Sequence, residues 1–221
     1  MIICAGESLI DMVSFAGENG EVQYSPHVGG SILNSALALG RLGVDVYYCG
    51  AVSNDTFGGL IEDCLRDSKV QEAFIIKTNR PTTLAYADVT YGVAKYTFVD
   101  EHSAGRLIDE NSLKPFVNKI KNAKALLVGG ISLQAEPCGT SWQWLVEQVA
   151  GHCVIYFDAN IRPDFIEDKD KYLERFERLT RKVDIIKISE EDYSYLYGEQ
   201  DFKKVSRSEE RRVGKECRSR W

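Results

Sequence analysis

The chain has 221 residues, 44% of them hydrophobic, a mean hydropathy of -0.25 and a formal net charge of -6. These values allow one sizeable globular core and argue against a general nucleic-acid binder, which needs a basic surface. No apolar run approaches the ~20 residues that span a bilayer, so no membrane partner is expected.

The N-terminus, MIICAGESLIDM, carries Glu7 and Asp11 and no basic leader, so it reads as a strand at Ile2 to Ala5 rather than a signal peptide. Val13 to His27 holds Glu-Asn-Gly between β-compatible runs, a hairpin signal. Gly29-Gly30-Ser31 opens the helical stretch ILNSALALGRLG, and Gly43 suits its C-terminus. Val46 to Val52 is β-branched and aromatic, which predicts a buried strand, and Phe57 to Ser68 has helical spacing. Extended segments follow at Ala73 to Ile76 and Thr82 to Val99, the latter with a turn at Tyr91-Gly92. Beyond them the pattern alternates. Leu113 to Asn122, Trp142 to Val149 and Tyr172 to Thr180 read as helices, the apolar runs AKALLVGGISL and CVIYFDAN read as buried strands, and VDIIKIS reads as another strand. Such alternation predicts an α/β fold with a mostly parallel sheet covered on both faces, plus a small β subdomain inserted in the first half.

Six cysteines stand singly at 4, 49, 64, 138, 153 and 217. With no CxxC or CxxH pair, buried free thiols in a reducing, cytoplasmic compartment are expected rather than structural zinc.

No GxGxxG follows a strand, and no GxxxxGK[ST] occurs, which argues against a Rossmann dehydrogenase and a P-loop ATPase. Five polar clusters instead follow predicted strands: Asp11 in GESLIDM, Gly29-Gly30 with Asn34, Glu136 in SLQAEPCG, Asp158-Ala-Asn160-Ile-Arg162, and Lys187 with Glu190. Ligands of open α/β sheets bind beyond the carboxyl ends of the strands. Each cluster alone also fits a structural role. Gly29-Gly30 reads as a turn, Asp158 as a cap and Glu190 as a solvated helix start.

Across residues 1 to 206 the sequence resembles the ribokinase-like (PfkB) sugar kinases. The resemblance is carried by the GG-x-x-x-N-x-A-x-x-L-x-RLG stretch at 29 to 43 and by GAVSNDTFGG at 50 to 59. RPTTLAYADV, VDEHSAGR at 99 to 106, DANIRP at 158 to 163 and KISEE at 187 to 191 resemble the bacterial fructokinase branch. It implies a three-layer ribokinase-like fold with a β-sheet lid from about 13 to 27 and 82 to 99, and ATP-dependent phosphorylation of a sugar, D-fructose first. It further implies that Asp11, Gly29, Gly30 and Asn34 bind sugar hydroxyls and that Glu136 supports the sugar or orders the site. Arg162 would approach the transferring phosphoryl group. Asp158, Asn160 and Lys187 would lie near the ATP, and Glu190 would help hold hydrated Mg2+. A homodimer through the lid is the assembly it suggests. Related readings are a 2-keto-3-deoxygluconate kinase, a ribokinase, a nucleoside kinase, or a sugar-binding domain without catalysis.

The second PfkB signature, a Gly-Ala-Gly-Asp turn, does not occur in these 221 residues. The resemblance implies that its Asp is the general base and its backbone N–H groups an anion hole, so the chain is expected to be an inactive N-terminal portion with the C-terminal part missing. Residues 207 to 221, RSEERRVGKECRSRW, hold six basic and three acidic side chains and no apolar periodicity. They resemble a translated sequencing adapter and are expected to be foreign to the natural protein.

Overall fold

Ile3, Cys4 and Ala5 of β1 (Ile2–Ala5) are almost wholly buried, and their alternation shows why. Ile3 and Ala5 point into one apolar cluster and Cys4 into another on the opposite face. A strand apolar on both sides needs cover on both sides. The computed structural model, which describes residues 1–90 and 93–198, supplies it.

β1 sits inside a six-stranded sheet with β4 (Val46–Ser53), β5 (Gln71–Thr78), β8 (Ala125–Gly129), β9 (Val154–Asp158) and β10 (Ile185–Lys187). Their order is β10-β9-β8-β1-β4-β5, with every pairing parallel. α1 (Ser31–Arg41) and α2 (Thr56–Asp67) pack on one face through Ile32, Leu33, Leu37, Ile61 and Leu65. The other face is covered by α3 (Glu110–Leu113), α4 (Val117–Lys121), α5 (Cys138–Val149) and α6 (Lys169–Thr180), with Trp142 the largest wholly buried side chain. α7 (Glu190–Tyr197) follows β10. The result is the three-layer α/β arrangement expected from the alternating pattern.

A second sheet of four strands, ordered β3-β2-β6-β7, grows from the end of β1. The hairpin of β2 (Leu9–Ala16) and β3 (Val22–Gly29) joins the hairpin of β6 (Leu84–Thr90) and β7 (Val93–Val99) through a parallel β2–β6 pairing. Its outer strands expose Val22, Tyr24 and Tyr96, and the far end of β2 exposes Phe15.

Two expectations need correcting. The helix predicted over Leu113 to Asn122 is three short pieces, α3, a 3-10 turn at Lys114–Phe116 and α4. Pro115 has no N–H to donate and clashes with the preceding turn, so a continuous α-helix cannot pass it. Asp11 does not follow the end of β1 as a loop residue. It is the third residue of β2, opposite His27 on one side and Ala85 on the other.

Cys4, Cys49 and Cys138 are buried, and burial pushes each thiol up to about 12, which leaves them unreactive at neutral pH. Cys64 and Cys153 are partly exposed. Cys217 and the segment 207 to 221 lie outside the described residues.

Candidate active site

The cleft between the two sheets starts with a helix that cannot cap itself. α1 begins after Gly30, whose φ of 108° favours glycine and whose missing side chain leaves the first N–H groups of the helix without a local acceptor. Glu7, just past β1, supplies one. Its carboxylate accepts from Ile32 N at 3.3 Å and Ser31 Oγ at 2.5 Å, and from Ser132 Oγ at 2.6 Å across the site. The negative charge also suits the positive end of the helix. Gly29 is equally constrained, because a methyl group there would collide with the Asp11 carboxylate.

Glu7, Gly30 and Ser31 form one wall of a cleft of about 200 Å³, and Gly29, behind Asp11, does not line it. Asp11, Gly30 and Asn34 line it together, and Asn160 and Arg162 line it from the loop after β9. Leu9 and Ile131 add apolar surface, and Tyr96 and Phe98 of β7 close the opposite side with rings stacked at 6.0 Å. Burial holds the Asp11 carboxyl above its ordinary value, opposed by the nearby His27. Asp11 accepts no side-chain hydrogen bond from a described residue, so its lone pairs are available to a ligand's hydroxyls.

Gln134, buried in the turn after β8, shapes the 159–162 loop. Its Nε2 faces the carbonyls of Gly130, Ala159 and Asn160 at 3.0 to 3.1 Å, and its Oε1 accepts from Arg162 N at 2.6 Å. The loop needs the help, since Asn160 has a φ of 38°. Gln134→Leu is expected to destabilise the protein by about 2–4 kcal/mol, because it leaves several buried backbone groups without partners at about 1–3 kcal/mol each. Urea unfolding measures this, and a loss below ~0.5 kcal/mol would mean the loop holds without Gln134.

A second cluster lies at the ends of β9 and β10. Lys187 Nζ pairs with Asp158 Oδ1 at 2.8 Å, and Glu190 stands exposed as the first residue of α7. Ser189 and Asp192 form a capping box there, and Asp192 Oδ1 also accepts from Ile161 N at 2.8 Å. Asp192 therefore fixes the start of α7 against the loop bearing Asn160 and Arg162. Asn160 was expected near the nucleotide with Asp158 and Lys187. It lines the Asp11 cleft, while Asp158, Lys187 and Glu190 do not.

Glu136 stands apart from both clusters. Its carboxylate is taken by Arg175 Nη2 and by Thr140, and its carbonyl accepts from Arg106 Nε at 2.6 Å. That geometry fits ordering the site rather than touching a sugar.

Glu7, Gln134 and Asp192 escaped the sequence reading. Each acts on backbone or hydroxyl groups far along the chain, 125 residues away for Glu7 and Ser132, and no local periodicity reports such a contact. The one available signal was position, since Glu7 directly follows β1 and Asp192 stands three residues after Ser189.

A model of the pfkB carbohydrate kinase family matches residues 1–216. A fructokinase of Rhizobium leguminosarum bv. trifolii is 38% identical over 203 residues, covering 91% of this chain and 61% of that protein. Among solved structures, an uncharacterized sugar kinase of Pyrococcus horikoshii in complex with ATP superposes with a TM-score of 0.80 at 26% identity, over 89% of this chain and 65% of that one. A PfkB protein from Polaromonas shares the fold at a TM-score of 0.83 and 16% identity, over 96% and 73%. The chain thus spans about three fifths of the length of curated relatives such as the Rhizobium protein.

Proposed function

We propose, for a chain that belongs to the pfkB family of carbohydrate kinases, that the whole protein phosphorylates a neutral monosaccharide, D-fructose first, at the expense of Mg-ATP. The observation that carries this reading is the convergence of Asp11, Gly30, Asn34 and Arg162 on one small cleft. Side chains with paired acceptors, or a donor beside an acceptor, match adjacent hydroxyls. A guanidinium at the same cleft matches phosphate oxygens.

Charge narrows the substrate. Glu7 and Asp11 set two carboxylates against one guanidinium, which disfavours an anionic sugar acid such as 2-keto-3-deoxygluconate. The cleft of about 200 Å³ has room for a monosaccharide. The fructokinase relative supports fructose within that class.

ATP is supported by the solved sugar kinase with bound ATP. Asp158 and Lys187 at the strand ends, with Glu190 beside them, are the residues that would meet it. Among the described residues no three acidic, His or Cys side chains converge on a metal cage. Magnesium delivered with nucleotide phosphates needs only one or two carboxylates, and Glu190 is free to be one of them. The bound ion would neutralise phosphate charge. The chain's own part is to orient the sugar through Asp11 and Asn34, aim Arg162, and exclude water under the four-stranded sheet.

No helix among the described residues is long and apolar enough to cross a membrane, and the reading places the enzyme in the cytoplasm. Phe15, Val22 and Tyr24 are among the exposed apolar side chains of the four-stranded sheet that a second copy would cover in a dimer through the lid.

A coupled assay of the full-length protein with Mg-ATP tests the assignment. Fructose is expected to exceed ribose, 2-keto-3-deoxygluconate and nucleosides in kcat/KM by about tenfold or more. A preference for the sugar acid would refute the charge argument. Tight fructose binding without turnover would make the protein a sugar-binding module.

A further inference from the structure

We propose that Arg106 is a positioning residue that ties the root of the four-stranded sheet to the loop carrying Arg162, so that lid and phosphate-facing arginine are set together. The proposal rests on the role given to Arg162 above.

Arg106 is mostly buried and spends its guanidinium on three separate segments. Nη1 donates to Asp100 Oδ2 at 3.2 Å, Nη2 to Glu167 Oε1 at 2.9 Å, and Nε to the Glu136 carbonyl at 2.6 Å. A planar fork with five donors reaches three divergent acceptors at once, and an ammonium group does not.

The first partner is the lid root. Asp100 is the residue after β7, is buried, and its Oδ1 accepts from Thr83 Oγ1 at 2.6 Å and Ser103 Oγ at 2.8 Å. Thr83 immediately precedes β6. One carboxylate therefore closes the open end of the β6–β7 hairpin, and Arg106 holds that carboxylate. Asp100 and Arg106 also share with Glu7 the walls of a cavity of about 10 Å³ beside the cleft.

The second partner lies just beyond Arg162 in the chain. Glu167 follows Phe165, which packs edge-on against Phe98 of β7 at 4.6 Å. Phe98 and Arg162 both line the cleft. The lid strand and the arginine loop thus meet twice, once through rings and once through the Asp100–Arg106–Glu167 chain. A displacement of β7 on sugar binding is transmitted to Arg162 by both. The third partner, the Glu136 carbonyl, anchors Arg106 to the turn before α5 and gives the linkage a fixed point.

A double-mutant cycle in the full-length enzyme, with fructose and Mg-ATP, decides the matter. Arg106→Ala is expected to lower kcat about tenfold or more in the unaltered background, but less than about threefold in an Arg162→Lys background, because a residue acting through Arg162 loses its lever there. Glu167→Gln removes only the exposed arm, leaves the fold intact, and is expected to lower kcat about 2- to 5-fold, with the same loss of effect beside Arg162→Lys. It carries the test if Arg106→Ala fails to fold. Arg106→Lys is expected not to rescue. Losses that multiply across the two sites overturn the proposal, as does a wild-type kcat per folded molecule in both Glu167→Gln and Arg106→Lys. An unaltered enzyme without turnover overturns the kinase reading itself, and the coupling falls with it.

Discussion

The 221-residue chain alone is expected to phosphorylate fructose at least ~10⁴-fold more slowly than the full-length enzyme, since a general base contributes about 10²–10⁴-fold and an anion hole about as much. The physical reason is visible in the cleft. Sugar attack on a γ-phosphate needs a carboxylate free to take the hydroxyl proton, and two carboxylates line the site. Glu7 is already engaged by Ser31, Ile32 and Ser132. Asp11 is committed, in the proposed reading, to hydroxyls that are held rather than deprotonated. The Gly-Ala-Gly-Asp turn that would provide both base and backbone donors does not occur in the sequence. The check is a coupled assay on purified chain at saturating fructose and Mg-ATP, beside the full-length protein. Turnover near ~1 per second, the working range of enzymes, would place the base inside the cleft described here and make Asp11 its first candidate.

In the full-length enzyme, Asp11→Asn is expected to cost about 10- to 150-fold in kcat/KM for fructose while leaving the KM for ATP nearly unchanged, from the roughly 1.5–3 kcal/mol of hydrogen bonds to a charged acceptor. The amide keeps the volume beside Gly29 and loses the charge and one acceptor. The pH dependence should follow the same group. Burial raises the Asp11 carboxyl, with His27 pulling it back, so fructose recognition is complete above that raised value. It is lost as pH falls through it, earlier than for an ordinary carboxylate near 3.9. The sign for folding is the reverse. A raised carboxyl costs stability while ionised, and that cost is relieved as the pH falls through the folded value. Steady-state kinetics and melting temperatures of both variants separate the cases. Equal losses for both substrates that track a lower melting temperature would make Asp11 a structural residue of β2.

The sequence told most where side chains obey a local period. β8, β9 and β10 lie inside the apolar runs that predicted them, and α1 fills the stretch after Gly30. Asp11, Gly30 and Asn34 were legible because a family signature and strand-end position single them out, and the structure brings them to one cleft. What stayed hidden is the scaffolding that holds them. Gln134 reaches the 159–162 loop across 25 to 28 residues, and Arg106 reaches Glu167 across 61. Such contacts are set by sheet order, and sheet order is not written in any one segment. The parting of Asn160 from Asp158 has the same origin, since one residue separates them and the positive φ of Asn160 turns the backbone toward the Asp11 cleft.

The sheet order also fixes a timetable. β1 is made first, yet it lies between β4 and β8, and the cleft it feeds is lined as far along the chain as Arg162. At about 5–20 residues per second on the ribosome, roughly 8–30 s pass between Met1 and Arg162, the last described residue that lines this cleft. Until β8 is made, about 6–25 s into that span, β1 has no neighbour on that edge, so the oldest strand of the molecule waits for a partner made more than a hundred residues later.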